Sequence, residues 1–462
     1  FRRVLFRSSL LSALARAQYS YKGKYMLSAA VRADGSSRFG GNNKYGFFPS
    51  GSVAWRISEE GFMEPVKAVI SNLKLRTSYG FTGNTEIGVY ESLATLESNS
   101  WTIGNQLVSG FYPNRIPNPD LKWEKTGQFD IGFDLGLFNN RLRLTADYYY
   151  KKTTDLLYNV AIPSASGYDS MLKNIGSVQN KGYELSIESD NLSGAFSWTT
   201  AFNISFNRNK VLELGGETYK DVGTYDDHLK TSDIRRLIVG QPIGVFYGYR
   251  FDGIFQNEAE CAQQTSSPSP IGVGLRRYKD LNGDGKIDAT NDREILGDAN
   301  PKFFGGMTNT FAYRGFELNV FLQYSYGNKI FNYNAMELES PTGGQNVYQD
   351  LVNRWTPTNP SNEYQKATTN RNNIVSDRFI EDGSFLKLKT VSLSYSFPKL
   401  NWKHIGGLRL YVTGQNLLTW TKYRGYDPEV SYRGASTLEA GEDFGGYPQA
   451  RTFMFGIKLD IK

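Results

Sequence analysis

The sequence predicts an all-β protein, a large antiparallel barrel that crosses a membrane with its strands. Three observations predict it. Polar and apolar residues alternate with period two over runs of about ten residues, where strands of soluble proteins stop at about five or six. Aromatic side chains are abundant, with Tyr 30, Phe 29 and Trp 7 among 462 residues, which suits girdles at two membrane interfaces. Connections alternate between short and long, as turns on one face of a bilayer and loops on the other would.

The clearest element is a hairpin at 128–150. Phe129, Ile131, Phe133, Leu135 and Leu137 share one phase, and Gln128, Asp130, Gly132, Asp134 and Gly136 the other. Phe138-Asn139-Asn140 then supply a tight turn, and alternation resumes with Leu142, Leu144, Ala146, Tyr148 and Tyr150. The same reading along the chain predicts about thirteen strands. They fall at 12–20, 24–33, 46–57, 71–81, 126–137, 141–151, 181–189, 196–207, 303–313, 316–327, 385–397, 407–418 and 451–461. The run at 385–397 slips phase near Lys389-Thr390, as a bulge would make it do. Short connections are predicted at 22–24, 58–71, 138–140, 190–195, 313–315 and 398–406. Long ones are predicted at 34–45, 82–125, 152–181, 208–302, 328–384 and 421–451.

Composition excludes several classes. Lys+Arg 52 against Asp+Glu 46 gives +6, too mild and dispersed for a nucleic-acid partner. No apolar run reaches the roughly 18 residues of a helical span, and a negative mean hydropathy is compatible with a barrel whose alternate residues face a wet lumen. The single Cys261 cannot form an internal disulfide. At the N-terminus, Leu10–Leu14 before Ala15-Arg16-Ala17 imitate a signal peptide, but Ala13, Ala15, Ala17, Tyr19 and Tyr21 alternate as a strand does, and a strand is the expectation. Residues 1–8 fit neither pattern and are expected to be non-native or disordered. First and last strands run the same way, so their number is odd. Lipid leaves an open edge unsatisfied, and further strands upstream are expected.

Several motifs resemble the SusC/RagA family of TonB-linked outer-membrane proteins. They are Arg32-Ala33-Asp34-Gly35-Ser36-Ser37-Arg38-Phe39-Gly40, Lys44-Tyr45-Gly46-Phe47-Phe48-Pro49-Ser50 and Trp55-Arg56-Ile57-Ser58-Glu59-Glu60. Asn118-Pro119-Asp120-Leu121-Lys122-Trp123-Glu124, Gly240-Gln241-Pro242-Ile243-Gly244 with Tyr247-Gly248-Tyr249, and Asp280-Leu281-Asn282-Gly283-Asp284-Gly285 follow in order. Gly414-Gln415-Asn416-Leu417 and Tyr447-Pro448 with Arg451-Thr452 complete the set. The resemblance implies a barrel of about 22 strands filled by an N-terminal plug. Residues 9–462 would be its C-terminal part, without plug, TonB box and about nine strands by difference. It ends in Lys462, not the terminal aromatic common in barrel assembly signals. The implied partners are a SusD-like surface lipoprotein, TonB through the missing N-terminal part, outer-membrane lipid, and oligosaccharide or peptide cargo taken up from outside a Gram-negative cell.

One stretch carries sharp chemistry. Asp280, Asn282, Asp284, Lys286 and Asp288 occupy positions one, three, five, seven and nine of a Ca²⁺ loop of EF-hand type, with Gly285 at six. Position twelve, where a closing carboxylate is expected, is Asn291, and Asp292 comes one residue late. Calcium is the only cofactor expected; the competing reading is a turn rich in Asp and Asn. Trp101, Tyr112 and Trp355 on long loops could stack on sugar rings or pack the loops together. His228 and His404 are far apart and lack ligand neighbours. Glu184 with Glu188, and Asp130 with Asp134, fall in phase on single strands and read as lumen-facing, so no catalysis is expected. The alternatives are a passive porin or adhesin-like barrel, and a soluble β-rich carbohydrate enzyme.

Overall fold

The computed structural model describes residues 7–162, 164–166, 168, 170–223, 234–340, 346–369, 373–397, 405–434 and 436–461. Thirteen strands form one sheet in which neighbours in sequence are neighbours in space. They are β1 (Leu10–Tyr21), β2 (Tyr25–Ser36), β3 (Tyr45–Arg56), β4 (Ile70–Asn84), β5 (Glu124–Leu137), β6 (Leu142–Thr154) and β7 (Ser177–Leu192). Then come β8 (Phe196–Glu213), β9 (Phe303–Tyr313), β10 (Phe316–Tyr326), β11 (Phe385–Ser396), β12 (Ile405–Thr421) and β13 (Thr452–Ile461). Each falls on a predicted run, several extended outward; β8 is 18 residues long. Residues 10–21 are a strand as expected, while most of 1–8 lies outside the described residues.

By contacts the chain forms two compact units, Phe1–Ile187 with Asn209–Thr218, and Glu188–Arg208 with Tyr219–Lys462. In the first, antiparallel pairing sets Phe129 opposite Tyr150, Ile131 opposite Tyr148 and Phe133 opposite Ala146. These side chains share the face on which Ile131 is 40% exposed. The opposite face is charged and interlocked. Arg76 donates to Asp147 at 2.8 Å and to Asp134 at 3.3 Å, and Ser78 to Asp130 at 3.2 Å. Asp130 and Asp134 are thus held by β4 and β6, as lumen-facing structural partners. The turns at the short-connection end are tight for a local reason. Lys22-Gly23 and Arg314-Gly315 both take positive φ, 52° and 67°, then 45° and 89°, the conformation of a type I′ turn, whose twist matches that of the flanking strands.

In the second unit β8 to β13 continue the same logic. Phe455 and Ile461 on β13 are 83% and 81% exposed. The predicted slip in β11 is real. Pairing with β12 shifts between Leu388 and Thr390, and pairing with β10 shifts between Phe321 and Leu322. Against β10 the extra residue is Lys389, and against β12 the single Lys389 faces both Asn416 and Leu417.

The structure departs from expectation in the long connections. Residues 208–302, 328–384 and 421–451 read as loops, yet they contain a four-stranded sheet with Tyr219–Val222, Arg235–Ile238, Val245–Tyr249 and Arg293–Gly297. A three-stranded sheet of Ile380–Asp382, Lys329–Asn332 and Glu442–Asp443 lies in the same unit. Strands this short are below the length at which a period of two can be read.

Candidate functional site

Two motif stretches far apart in sequence meet at the long-loop end of the first unit. Arg38 donates to the carbonyls of Thr85 and Ile87 at 3.2 and 2.9 Å. Phe39 and Phe48 close on Trp123 with ring centroids 5.1 and 5.5 Å away, and the Trp123 indole donates to the Lys44 carbonyl. Asn42 reaches Asp120 at 2.7 Å. Gly40 has no alternative, because a Cβ there would lie 2.0 Å from the Pro119 carbonyl oxygen. Beside this core is a cavity of about 310 Å³ lined by Leu10, Arg32, Asp34, Phe48, Phe81 and Trp123. The Arg32–Asp34 pair at 2.7 Å is its charged edge.

A hairpin, Thr95–Ile103 with Gln106–Arg115, arises from the connection between β4 and β5. Trp101 and Tyr112 lie on one of its faces; Trp101 covers Gly110, and the Tyr112 hydroxyl donates to Glu97 at 3.2 Å. Its apolar residues are open to solvent, with Leu96 68%, Ile103 67%, Leu107 77% and Phe111 74% exposed. Trp355 belongs to the other unit and is half-buried, its indole donating to Gln256 and its ring over Gly274. The structure therefore places Trp355 in the loop packing of the second unit.

The outer loops of the second unit surround their own apolar core of Ile234, Phe246, Phe331, Tyr333, Ala335, Met336, Val375 and Phe379. Charged pairs seal it. Arg235, behind the Gly240–Gly244 turn, donates to Glu442 at 2.9 Å, to the Gly244 carbonyl at 2.6 Å and to the Ala440 carbonyl. Burial pushes the Glu442 carboxyl above its ordinary range, and Arg235 offsets part of that rise. Glu339, also buried, accepts from Arg378 and Arg424. Burial pushes the Tyr278 phenol up to about 12.

The stretch with calcium-loop spacing folds as a nest of backbone contacts. Asp280 accepts from the N–H of Gly283 and Gly285 at 2.6 and 2.7 Å, Asp284 from Lys286, and Asp288 from Thr290 and Asn291. The Gly285 N–H holds Asp280 below the usual carboxylate range, and the Asn291 N–H does the same for Asp288. Asp292, fully buried, closes the loop by accepting from Leu281 and Asp288, both at 2.8 Å. Asn282 bonds Asp284. Among the described residues no three His, Cys, Asp or Glu side chains converge on a metal position. His228 and His404 lie outside the described residues.

A fourth cluster was not legible in the sequence. Lys387 and Lys389 on β11 meet Asp427 and Glu429 from the loop after β12. Two lysines ahead of a phase slip were the available signal.

Apolar residues facing out, ion pairs facing in and long outer loops define an outer-membrane β-barrel. No helix among the described residues is long and apolar enough to cross a membrane; the crossing is made by strands. The chain belongs to the family described as TonB dependent receptor-like, beta-barrel, whose model matches residues 6–256, and within it the chain is SusC/RagA-like. It is 41% identical to TonB-dependent receptor P3 of Formosa agariphila, over 98% of this chain and 46% of that protein. It is 31% identical to TonB-dependent receptor SusC of Bacteroides thetaiotaomicron, over 98% of this chain and 44% of that one. Among solved structures it superposes on the RagAB peptide transporter with a TM-score of 0.82 at 28% identity, covering 98% of this chain and 48% of that chain. The chain thus spans about half the length of the curated relatives it matches.

Proposed function

We propose that this chain is the barrel portion of an outer-membrane importer that takes up oligosaccharides or peptides, is energised through TonB, works with a SusD-like surface lipoprotein and performs no catalysis. The observation that carries this is the pairing of a membrane-facing strand wall with a structured outer-loop assembly, on a chain that superposes along almost its whole length on the RagAB peptide transporter. The exposed apolar hairpin Thr95–Arg115 supports the partner, since large open apolar patches mark contact surfaces. The test is uptake in cells carrying the receptor gene, with radiolabelled oligosaccharides and peptides, with and without a membrane potential. Energy-dependent uptake is expected, along with a lipoprotein that co-purifies with wild-type receptor and is lost from Leu107→Asp/Phe111→Asp. Uptake that persists without energy would make the barrel a passive porin.

The 280–292 loop supports a second proposal, that it takes up Ca²⁺. Each carboxylate oxygen of Asp280 and of Asp292 uses one lone pair on a backbone N–H and keeps another, and Asp292 closes the turn despite its one-residue displacement. Adding CaCl₂ to the receptor is expected to slow trypsin cleavage at Lys286, an effect absent from Asp284→Ala. Equal rates with calcium and with chelator would leave a turn that holds no ion.

A further inference from the structure

Lys387 should face the lumen with little around it, since its strand neighbours Leu386 and Leu393 point the other way and are 40% and 43% exposed. Instead it is 1% exposed, covered by the loop between β12 and β13. Its Nζ donates to Asp427 at 2.6 Å and to Glu429 at 2.5 Å. Lys389 donates to the same Glu429 carboxylate at 3.0 Å, and Gln323 on β10 donates to its other oxygen at 3.0 Å. The remaining capacity of Asp427 is taken by the N–H groups of Glu429 and Gln449. Burial opposes ionisation of both acids, yet the lysine ammoniums and those N–H groups hold them below the usual carboxylate range.

Three physical points make this more than a brace. Buried ion pairs add little stability over apolar packing of the same volume, so stability alone does not explain placing four charges here. Lys387 and Lys389, two positions apart on β11, share the inner face, and both reach Glu429 beside the register shift between Leu388 and Thr390, an irregularity of the kind over-represented next to functional sites. The lysines are two residues apart on a strand, and the acids that meet them are two residues apart on a peptide segment, Asp427-Pro428-Glu429.

We propose that Lys387 and Lys389 form a recognition site for acidic peptides on the lumenal wall, filled in this structure by the chain's own Asp427 and Glu429, and that peptide cargo with carboxylates two residues apart displaces the loop. The inference rests on the import reading, and takes from it the peptide class. Binding to purified receptor tests it without any uptake step, so the two readings fail separately.

The probe is a synthetic peptide copying residues 425–431, set against the same peptide with Asn and Gln in place of its two acids. Calorimetry on receptor in detergent is expected to show binding of the acidic peptide only. It should be about tenfold tighter to Glu429→Gln, in which the internal competitor is weakened, and absent from Lys387→Met/Lys389→Met. Hydrogen exchange across residues 426–450 should accelerate when the acidic peptide is added. A structural brace predicts no gain in Glu429→Gln, a surface-reachable change that leaves Lys387 paired with Asp427, and that result would overturn the proposal. Equal binding of the neutral peptide would overturn it too. Equal binding of oligogalacturonate would remove the peptide assignment.

Discussion

The strand wall and the outer-loop assembly of the second unit treat the same residue types in opposite ways. On β13, Phe455 and Ile461 are more than four-fifths exposed, while in the loops Phe246, Phe331 and Phe379 are fully buried. Charges invert as well. The wall turns them inward, with Arg409 donating to Glu317 at 2.6 Å across β10 to β12, and the loops lock them around an apolar interior, as in Arg235 with Glu442. The difference follows from two solvents. Hydrocarbon demands that every strand N–H and C=O be paired and tolerates apolar side chains. Water drives the same side chains together, at about 25 cal/mol per Å² of apolar area removed. The wall is held mainly by its ladders, and the loop assembly by its core.

The largest expected effect would break the loop side alone. Phe331 touches Phe246, Tyr333 and Phe379, with ring centroids 6.1, 4.8 and 6.4 Å away. Phe331→Ala leaves a cavity in a core too small to collapse around it, at a cost of about 3–5 kcal/mol. Limited proteolysis should then release fragments from the outer loops, while the heat-modifiable gel migration of the folded barrel stays unchanged. Loss of both together would show that wall and loops fold as one cooperative body.

The same contrast explains what the sequence revealed. Each of the thirteen strands was legible because a lipid face and a wet face impose a choice at every residue, and the Lys389 slip stood out against that alternation. The loop assembly was opaque because its strands, such as Lys329–Asn332 and Ile380–Asp382, pair residues about fifty positions apart and are three or four residues long. The Thr95–Arg115 hairpin was missed inside a long loop for a different reason. Its apolar residues fall on both faces, Leu96 and Phe111 on one, Trp101 and Ile103 on the other, so no single phase emerges. Among candidate site residues, the Asp280–Asp292 spacing was readable because all its partners are local. The Lys387–Asp427 contact spans 40 residues, and the two lysines beside the phase slip did not reveal which acids meet them.

A smaller effect would sharpen the comparison within the wall of the first unit. Ile131 lies midway along β5 on the outer face, 40% exposed and opposite Tyr148. Thr145 lies on the inner face of β6 opposite Asp134, with its hydroxyl 3.4 Å from that carboxylate. Ile131→Arg carries a guanidinium into hydrocarbon and should cost about 2–4 kcal/mol near the bilayer midplane. Thr145→Arg puts the same group among carboxylates and water and should change stability by only about 0.5 kcal/mol. Urea unfolding of the receptor in lipid vesicles, followed by tryptophan fluorescence, measures both. Equal costs would mean that the two faces see the same medium, which would contradict the membrane orientation deduced from the period of two.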